Sequence, residues 1–371
     1  MRTNCVLIFS IIFCVNSLFS QNGLTSHPDW FIKPYVYSGI VIQHRSALSN
    51  LIKGYPRSYE LSIGKPTLGN KLWHLENNKP DIGVNLTLMD YANPSQLGYG
   101  IVVAPFADIP LKEKATKARF HMRLSWGLAY MTKHFDVKTN QKNGAIGSKF
   151  NSYVQFKWYW HLPISPSVRL EPGFMFSHVS NARAKSPNLG LNIIGVGLGV
   201  HFTKKGNPVN VEKVDSNTRV RSRHEFVVIN GYGINDAEVY GRKYLTSSLA
   251  MSYHFNKRNT HKFGIGFDVY YEENYVKDLD VEGITERTLI DELRYGPKLA
   301  YSYNLGRVSF PVEFGVYLRQ LANPDGMFFH RIGVRYYAAN NLIASVGLRT
   351  HWAVAYCFEF GIGYRFNLKK K

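Results

Sequence analysis

The chain has 371 residues, with 45 basic and 26 acidic side chains, and its formal net charge is +19 at pH 7. Aromatic residues make up 14% of the chain and glycine occurs 31 times, but the mean hydropathy is only −0.21. This composition excludes a helical membrane protein, which is more hydrophobic. The excess of basic residues favours contact with an anionic membrane surface. Because the sequence has no basic helix or zinc-finger spacing, we expect no nucleic-acid partner.

Residues 1–20 have the pattern of a secretory signal peptide. A basic residue precedes the apolar run CVLIFSIIFCVNSLFS, and we predict cleavage after Ser20. The alternative, a membrane anchor, is disfavoured because the run is short for a spanning helix. Cys357 is the one cysteine of the mature chain, residues 21–371, so no intramolecular disulfide can form there.

Period-two alternation of apolar and polar residues dominates the mature chain. It is clearest in the last predicted strand, near residues 353–367. One face of this strand carries apolar and aromatic side chains: Val354, Tyr356, Phe358, Phe360, Ile362, Tyr364 and Phe366. The other face carries small, polar or charged residues: Ala355, Cys357, Glu359, Gly361, Gly363 and Arg365. An apolar face that points outward and a polar face that points inward are typical of a transmembrane β-barrel.

About sixteen segments show this alternation between turn-forming residues, and each is predicted to be a β-strand. They lie near residues 34–44, 57–66, 80–90, 97–106, 118–131, 149–162, 166–178, 190–204, 222–231, 242–254, 261–271, 293–305, 307–320, 327–338, 341–351 and 353–367. We therefore predict an all-β fold, an antiparallel transmembrane β-barrel in a bacterial outer membrane, because closure of the sheet pairs every backbone polar group in lipid. A soluble β-sandwich is disfavoured, because the charged residues here share a face with glycines.

The lengths of the connections predict how the barrel is oriented. If both termini are periplasmic, long connections fall on the outer side at 132–148, 179–189 and 272–292. The exceptions are 67–79 and 205–221, which become long inner connections. The second of these is polar and divides the chain into two halves of eight strands each, residues 34–204 and 222–367. The strand count alone allows one large barrel or two small ones.

Polar side chains interrupt the outward row of the seventh and eighth predicted strands. His178 and Ser180 end one strand, and Asn192 begins the next. If the hairpin folds symmetrically about Ser186, Ser180 lies opposite Asn192, within side-chain reach. Residues two apart on a strand have Cα atoms about 6.6 Å apart, so the imidazole can reach the hydroxyl. These residue types fit a general base, a nucleophile and an orienting amide.

Nucleophilic attack by serine on a carbonyl requires further groups. A histidine is well matched to accept the serine proton near neutral pH. Asn192 can hold the imidazole tautomer, but it cannot stabilise an imidazolium as a carboxylate does. Candidate donors to the developing oxyanion are the Asn181 side-chain amide and the backbone N–H groups of Asn181 and Ala182.

The stretches FSHVSNA and SPNLGLN resemble the signature of the outer-membrane lipid A 3-O-deacylase (PagL-like) family of acyl hydrolases, in which His-x-Ser-Asn precedes Pro-Asn-x-Gly and an acidic residue. The resemblance implies an eight-stranded barrel over residues 34–204, with a catalytic site on its lipid-facing surface near the outer leaflet. It implies that His178 is the general base, that Ser180 is the nucleophile and that Asn181 lies in the oxyanion region. The implied substrate is lipid A of lipopolysaccharide. The other implied partners are lipids of the outer membrane. Asn192 stands where the best-known members have Glu.

Two interpretations remain open. The first is a lipid A deacylase, which cleaves an ester-linked acyl chain from an outer-leaflet glycolipid by a Ser-His mechanism. The second is a non-catalytic barrel, either a channel or a surface structural protein. His44, in the stretch HRS, is an accessory candidate, since it lies near Asn192 if the first half closes as its own barrel. Neither a Cys/His zinc pattern nor a Gly-x-Ser-x-Gly elbow occurs, and we expect no metal ion or cofactor.

Overall fold

The computed structural model of the protein describes residues 30–111, 119–203, 224–236, 241–256, 259–352 and 354–368. In these residues, sixteen antiparallel strands form two closed eight-stranded barrels, one after the other along the chain. The predicted antiparallel barrel fold is confirmed, and it consists of two small barrels. The predicted signal peptide, residues 1–20, lies outside the described residues.

The first barrel contains eight strands whose bounds lie within a few residues of the predicted ones. They are β1 (Phe31–Val41), β2 (Arg57–Pro66), β3 (Asp81–Asp90), β4 (Tyr99–Pro110), β5 (Arg119–Met131), β6 (Phe150–Ser165), β7 (Val168–Ser180) and β8 (Leu191–Thr203). Each strand pairs with its neighbours in sequence, and β1 also pairs with β8, with Phe31 opposite Thr203 and Val41 opposite Ile193. This last pairing closes the sheet and removes its free edges.

The second barrel repeats this arrangement. Its strands are β9 (His224–Asp236), β10 (Lys243–Asn256), β11 (His261–Glu272), β12 (Leu293–Leu305), β13 (Val308–Val316), β14 (Phe328–Tyr337), β15 (Leu342–His351) and β16 (Val354–Leu368). Pairing of β16 with β9 closes it, with Glu359 opposite Gly233 and Leu368 opposite His224. The chain passes from one barrel to the other through residues 204–223, which lie outside the described part.

Charged side chains that pair with one another fill the interior of each barrel. In the first barrel, the Arg123 guanidinium lies 2.6 Å from Glu60 and 2.5 Å from Asp108, and all three side chains are fully buried. In the second barrel, Arg331 pairs with carboxylates of three other strands: Asp268, Glu313 and Glu359. Buried charges are tolerated when they are paired in this way. The described interiors are therefore packed with side chains and do not form an open channel.

The alternation predicted for the last strand holds along most of β16. Phe360 and Ile362 are 62% and 75% exposed on the outside, whereas Glu359 is 5% exposed and lies inside. Arg365 also lies inside, against the ring of a buried tyrosine. The prediction that Tyr356 faces outward is wrong, because its side chain is 1% exposed and lies among interior arginines. The pairing of β15 with β16 shifts register at this point, and the resulting β-bulge turns the ring inward.

The two barrels contact each other at the end that is predicted to be periplasmic. The connection between β2 and β3 contains helix α1 (Leu72–Glu76). Asn77, which follows this helix, accepts a hydrogen bond from the Tyr303 hydroxyl of the second barrel, and Asn259 of that barrel donates to Glu76 at 2.8 Å. Apolar side chains of both barrels pack around these contacts: Trp73, Ala107, Ile109, Met122, Leu124, Tyr303, Leu305 and Phe310. This long inner connection therefore helps to hold the barrels side by side.

Two short helical segments lie in connections at the outer end. Helix α2 (Glu273–Val281) occupies part of the predicted outer loop 272–292 and buries Tyr275 and Leu279. A 3-10 helix (Ser46–Leu51) follows β1. None of the helices in the described part of the chain is both long enough and apolar enough to cross a membrane.

The outward row of β16 can be tested by charge substitution. Ile362→Arg should lower the free energy of unfolding by about 2–4 kcal/mol, because it places a charge in the hydrocarbon layer. Val354→Arg, on the same face but at the outer end of the strand, should cost less than about 1 kcal/mol. Equilibrium denaturation of the protein folded into phospholipid vesicles measures both costs. Equal costs at the two positions would contradict the placement of this row in hydrocarbon.

Candidate active site

Strands β7 and β8 bring His178, Ser180 and Asn192 together on the outside of the first barrel, at its outer end. The pairing of these strands places His178 opposite Asn192. The prediction that Ser180 lies opposite Asn192 is therefore wrong, because the hairpin pairing is centred on Lys185 and not on Ser186. In the observed register the amide is next to the imidazole, where an orienting group is needed.

The three side chains form a continuous series of hydrogen bonds. Ser180 Oγ lies 2.7 Å from His178 Nε2, and Asn192 Oδ1 lies 2.6 Å from His178 Nδ1. Because an amide oxygen only accepts, Nδ1 carries the proton and Nε2 accepts the hydrogen bond from the Ser180 hydroxyl. This is the tautomer in which an imidazole can act as general base toward serine.

His44, which follows β1, extends this series. Its Nδ1 lies 3.2 Å from Asn192 Nδ2, and its Nε2 lies 3.0 Å from the Leu189 carbonyl oxygen. Because an amide nitrogen only donates, neutral His44 accepts at Nδ1 and donates from Nε2. His44 thereby holds the Asn192 amide with its oxygen toward His178. Closure of β1 on β8 creates this contact, as predicted for an eight-stranded first barrel.

Ser180 is largely shielded from solvent. Ser180 is 4% exposed, and His178 is half-buried although its strand position faces outward. On the neighbouring strand β6, Ser152 lies opposite Ser180 and accepts a hydrogen bond from the Trp126 indole at 2.9 Å. A charge that develops among buried groups is screened less than a charge in water. Nearby hydrogen-bond donors therefore stabilise it more strongly.

The loop between β7 and β8, residues 181–190, borders Ser180. It begins with a turn in which the Ala184 N–H donates to the Asn181 carbonyl at 3.0 Å. The two central residues, Ala182 and Arg183, have φ values of +50° and +60°. Positive φ at both central positions is typical of a type I′ turn, which usually contains glycine or asparagine. Alanine and arginine adopt this conformation only under strain, so contacts outside the turn must hold it.

Asn181, a predicted oxyanion donor, has acceptors for its hydrogens in the loop and at Ser148, which precedes β6. Its Nδ2 donates to Ser148 Oγ at 2.8 Å and to the Lys185 carbonyl at 2.9 Å. Its backbone N–H donates to Asn188 Oδ1 at 3.0 Å. By contrast, the Ala182 N–H and Asn188 Nδ2 have no hydrogen-bond acceptor within the part of the chain that the structure describes. Of these two residues, Ala182 is fully buried and Asn188 is half-buried.

Gly190 ends the loop beside the imidazole. Its φ is +77°, and a Cβ at this position would lie 2.9 Å from His178 Cε1 and 3.3 Å from Ser180 Cβ. A side chain here would strain the backbone and press against the imidazole. The Pro-Asn-Leu-Gly part of the sequence signature thus has a spatial explanation, because Asn188 fixes the turn and Gly190 leaves room for the ring.

One group of side chains has the geometry of a metal site. His161, Glu171 and His201 lie inside the first barrel, with their ligand atoms within 4.8 Å of one another. Both histidine Nδ1 atoms contact Glu171 Oε1, at 2.6 and 3.3 Å, and the Lys33 ammonium lies 3.5 Å from the same oxygen. Lys33 already supplies a cation to this carboxylate. Glu171 also lies about 30 Å along β7 from Ser180, so this group cannot act on the serine.

Three further residues at the site had no role assigned from the sequence. Asn188 and Gly190 belong to the stretch SPNLGLN, so the resemblance of that stretch to the family signature could have indicated them as site residues. Asp236 ends β9 of the second barrel and contacts the loop at Ser186, with its carboxylate 3.0 Å from the Ser186 nitrogen. Nothing in the sequence around Asp236 indicates this contact.

The chain resembles several solved structures at low sequence identity. Neisserial surface protein A (NspA) is 10% identical and has a TM-score of 0.32, with 47% of this chain and 96% of that chain covered. A variant of the Rh. blastica porin is 10% identical and has a TM-score of 0.19, with 91% and 100% covered. The siderophore receptor PirA from Pseudomonas aeruginosa is 9% identical and has a TM-score of 0.18, with 92% and 81% covered. No curated protein matches the chain significantly.

Two family descriptions match adjacent parts of the chain. Residues 57–201 match lipid A 3-O-deacylase (PagL), and residues 224–368 match the C-terminal domain of acyloxyacyl hydrolase (PagL_C). The first match contains His178, Ser180 and Asn192, and the second coincides with the second barrel. Together the two matches cover most of the chain, which therefore belongs to the lipid A 3-O-deacylase (PagL) family of outer-membrane proteins.

Proposed function

We propose that the protein is a lipid A deacylase that cleaves an ester-linked acyl chain from an outer-leaflet glycolipid by a serine-histidine mechanism. The observation that carries the proposal is the 2.7 Å contact between Ser180 Oγ and His178 Nε2, with Asn192 Oδ1 on the other imidazole nitrogen. These groups lie on the lipid-facing side of the barrel, where they can reach an ester bond below a headgroup. The family match supports lipid A as the substrate.

The first half of the reaction transfers the acyl chain to the protein. His178 Nε2 takes the hydroxyl proton of Ser180 as Oγ attacks the ester carbonyl carbon. The tetrahedral intermediate then collapses, the bond between the carbonyl carbon and the sugar oxygen breaks, and His178 gives its proton to that oxygen. The deacylated lipid leaves, and the acyl chain remains as an ester on Ser180.

The second half regenerates the enzyme. A water molecule gives a proton to His178 Nε2 as its oxygen attacks the carbonyl carbon of the acyl-serine. Collapse of this intermediate releases the fatty acid, and Ser180 Oγ recovers its proton from His178. One ester and one water are consumed, and one sugar hydroxyl and one carboxylic acid are produced.

The oxyanion donors in this proposal are the Ala182 N–H and Asn188 Nδ2. Both groups belong to the loop that borders Ser180, and neither has an acceptor among the described residues. The hydrogens of Asn181 are bonded to Ser148 and to acceptors in the loop, so Asn181 contributes by shaping the loop. Donors that are held in place before the reaction stabilise the developing charge without reorganisation.

Asn192 holds the required tautomer but carries no charge. A carboxylate at this position would stabilise the imidazolium that forms on His178, whereas an amide oxygen stabilises it only through its dipole. Neutral His44 fixes the amide in the useful orientation. A protonated His44 would donate from Nδ1 to the Ile42 carbonyl, 3.3 Å away, and could no longer accept from Asn192.

A non-catalytic channel or surface protein is the competing function. The buried ion pairs around Arg123 and Arg331 argue against a channel, because they occupy the space through which a solute would pass. A purely structural role leaves the ordered tautomer of His178 on the outward face unexplained. Mass spectrometry of lipid A from cells with and without the gene separates the two functions, since only a deacylase removes the mass of an acyl chain.

Removal of the proposed nucleophile should abolish ester cleavage. Ser180→Ala should lower kcat on purified lipid A by at least about 10³-fold, because no other group can form the acyl-enzyme. His178→Ala should be nearly as severe, and the double variant should be little worse than either single one, because the two residues act as a unit. Quantification of released fatty acid measures these rates.

Ser152→Ala is the matched control for the serine substitution. It removes a hydroxyl directly opposite Ser180 on the same surface and should leave kcat nearly unchanged. Full activity of Ser180→Ala would show that the active site is misassigned, and His44 with Ser46 would then be the next pair to test.

The orienting residues should show a different pattern. Asn192→Asp should raise kcat several-fold, because a carboxylate of the same reach stabilises the imidazolium of His178. His44→Ala should lower kcat in the natural chain, because the Asn192 amide then becomes free to rotate. In a chain that also carries Asn192→Asp, His44→Ala should lower kcat by a smaller factor, since both carboxylate oxygens can accept from His178. Steady-state kinetics of the natural chain and these three variants tests this, and a slower Asn192→Asp enzyme would contradict the role of this position.

A further inference from the structure

We infer that the second barrel completes the active site, with Asp236 as a positioning residue that holds the loop 181–190 beside Ser180. This inference rests on the proposed function, because the loop affects catalysis only if Ser180 is the nucleophile. Asp236 is the last residue of β9, at the outer end of the second barrel.

Three hydrogen bonds join Asp236 to the loop. The Asp236 N–H donates to the Arg183 carbonyl at 2.9 Å, and the Ser186 N–H donates to Asp236 Oδ2 at 3.0 Å. The Ser186 hydroxyl donates to the Asp236 carbonyl at 2.7 Å. Asp236 is 4% exposed, so water competes little for these bonds, and the bond to its carboxylate is of the stronger, charge-assisted kind. The second barrel therefore holds the loop main chain at two points, three residues apart.

The loop depends on such support because its first turn is strained. Ala182 and Arg183 both have positive φ, although neither is glycine. The carbonyl that accepts from Asp236 belongs to Arg183, one of these two residues. Without this bond, the turn is free to relax toward a conformation that suits alanine and arginine better. The strain thus persists because an element outside the first barrel opposes the relaxation.

Hydrogen bonds and the main chain connect Ser186, which Asp236 holds, to the proposed oxyanion donors at Ala182 and Asn188. Ser186 is adjacent to Lys185, whose carbonyl accepts from Asn181 Nδ2 at 2.9 Å. Two residues after Ser186, Asn188 accepts the Asn181 N–H at 3.0 Å. A displacement of Ser186 therefore moves Asn188 and the turn that contains Ala182. The Ser180–His178 contact lies within β7 and is not displaced.

Loss of the hydrogen bonds from Asp236 to the loop should weaken the stabilisation of the transition state and leave substrate binding nearly unchanged. The donors at Ala182 and Asn188 interact with the carbonyl oxygen most strongly when it becomes an oxyanion. Misplacement of catalytic groups by about 1 Å can cost about 100-fold in rate. We therefore expect kcat to fall while KM stays nearly unchanged.

The test is Asp236→Ala in the full chain, assayed on purified lipid A in detergent micelles. The variant removes the carboxylate that accepts from the Ser186 N–H and keeps the two main-chain bonds of residue 236, so it frees the loop at Ser186 and leaves the strained turn with a weaker hold. This variant should lower kcat by between about tenfold and about 100-fold, with KM changed less than about twofold, the pattern for an interaction made only in the transition state. Asp236→Asn keeps an oxygen that can accept from the Ser186 N–H and should retain most of the rate. Asn259→Ala is the matched control, because it removes a hydrogen bond between the barrels at the periplasmic end, and it should leave kcat unchanged.

A second measurement does not depend on catalysis. Amide hydrogen exchange of residues 181–190 should be faster in Asp236→Ala than in the natural chain and unchanged in Asn259→Ala. If the natural chain does not cleave lipid A, the proposed function fails, while the exchange data still decide whether Asp236 holds the loop. Should Asp236→Ala fail to fold, Ser186→Ala removes one bond from the loop side, and it should change kcat and exchange in the same direction by a smaller amount.

Relief of the strain gives a rescue experiment. Arg183→Gly, introduced together with Asp236→Ala, should restore part of the lost rate, because glycine adopts positive φ without strain. The inference is overturned if Asp236→Ala leaves both kcat and the exchange of residues 181–190 unchanged. It is also overturned if Asn259→Ala lowers kcat as much as Asp236→Ala does, because general contact between the barrels would then explain the loss.

Discussion

Closure of each sheet on itself is the constraint on which the rest of the structure depends. An open strand edge in lipid leaves backbone N–H and C=O groups unpaired, so β1 must pair with β8, and β9 with β16. The first of these pairings also has a chemical consequence. It brings His44, at the end of β1, next to Asn192 on β8, although the two are 148 positions apart in the chain. The proposed active site is therefore built across the seam at which the first barrel closes.

The packed interiors determine which side of the barrel wall can carry a site. In the first barrel, the buried cations Lys33, Arg123 and Lys157 contact the carboxylates of Glu60 and Asp108. Removal of one partner from such a network leaves an uncompensated buried charge, so these groups are committed to stability. The proposed catalytic groups lie instead on the outer face of the first barrel. A substrate that reaches them comes from the membrane and not through the barrel.

Most of the fold follows from the sequence, because lipid on one face and packed ion pairs on the other impose a period of two along most of each strand. The three polar residues of the site were found because they interrupt that period. Local irregularities were not predictable in this way: a bulge turns Tyr356 inward, the pairing of β7 with β8 is centred on Lys185, and two residues of the loop are left-handed. The role of Asp236 depends on how two closed barrels sit side by side, and no pattern within either barrel encodes that contact.

The environment of the site also explains why an amide is suited to the position of Asn192. Ser180 is nearly buried beside the membrane, where an unpaired carboxylate would be poorly solvated. The series from Ser180 through His178, Asn192 and His44 to the Leu189 carbonyl contains no net charge, and every donor in it meets an acceptor. Charge arises on the imidazole only during attack, when the oxyanion forms close by. Because the amide stabilises that imidazolium weakly, a larger share of the stabilisation must come from the oxyanion donors, and hence from whatever fixes their loop.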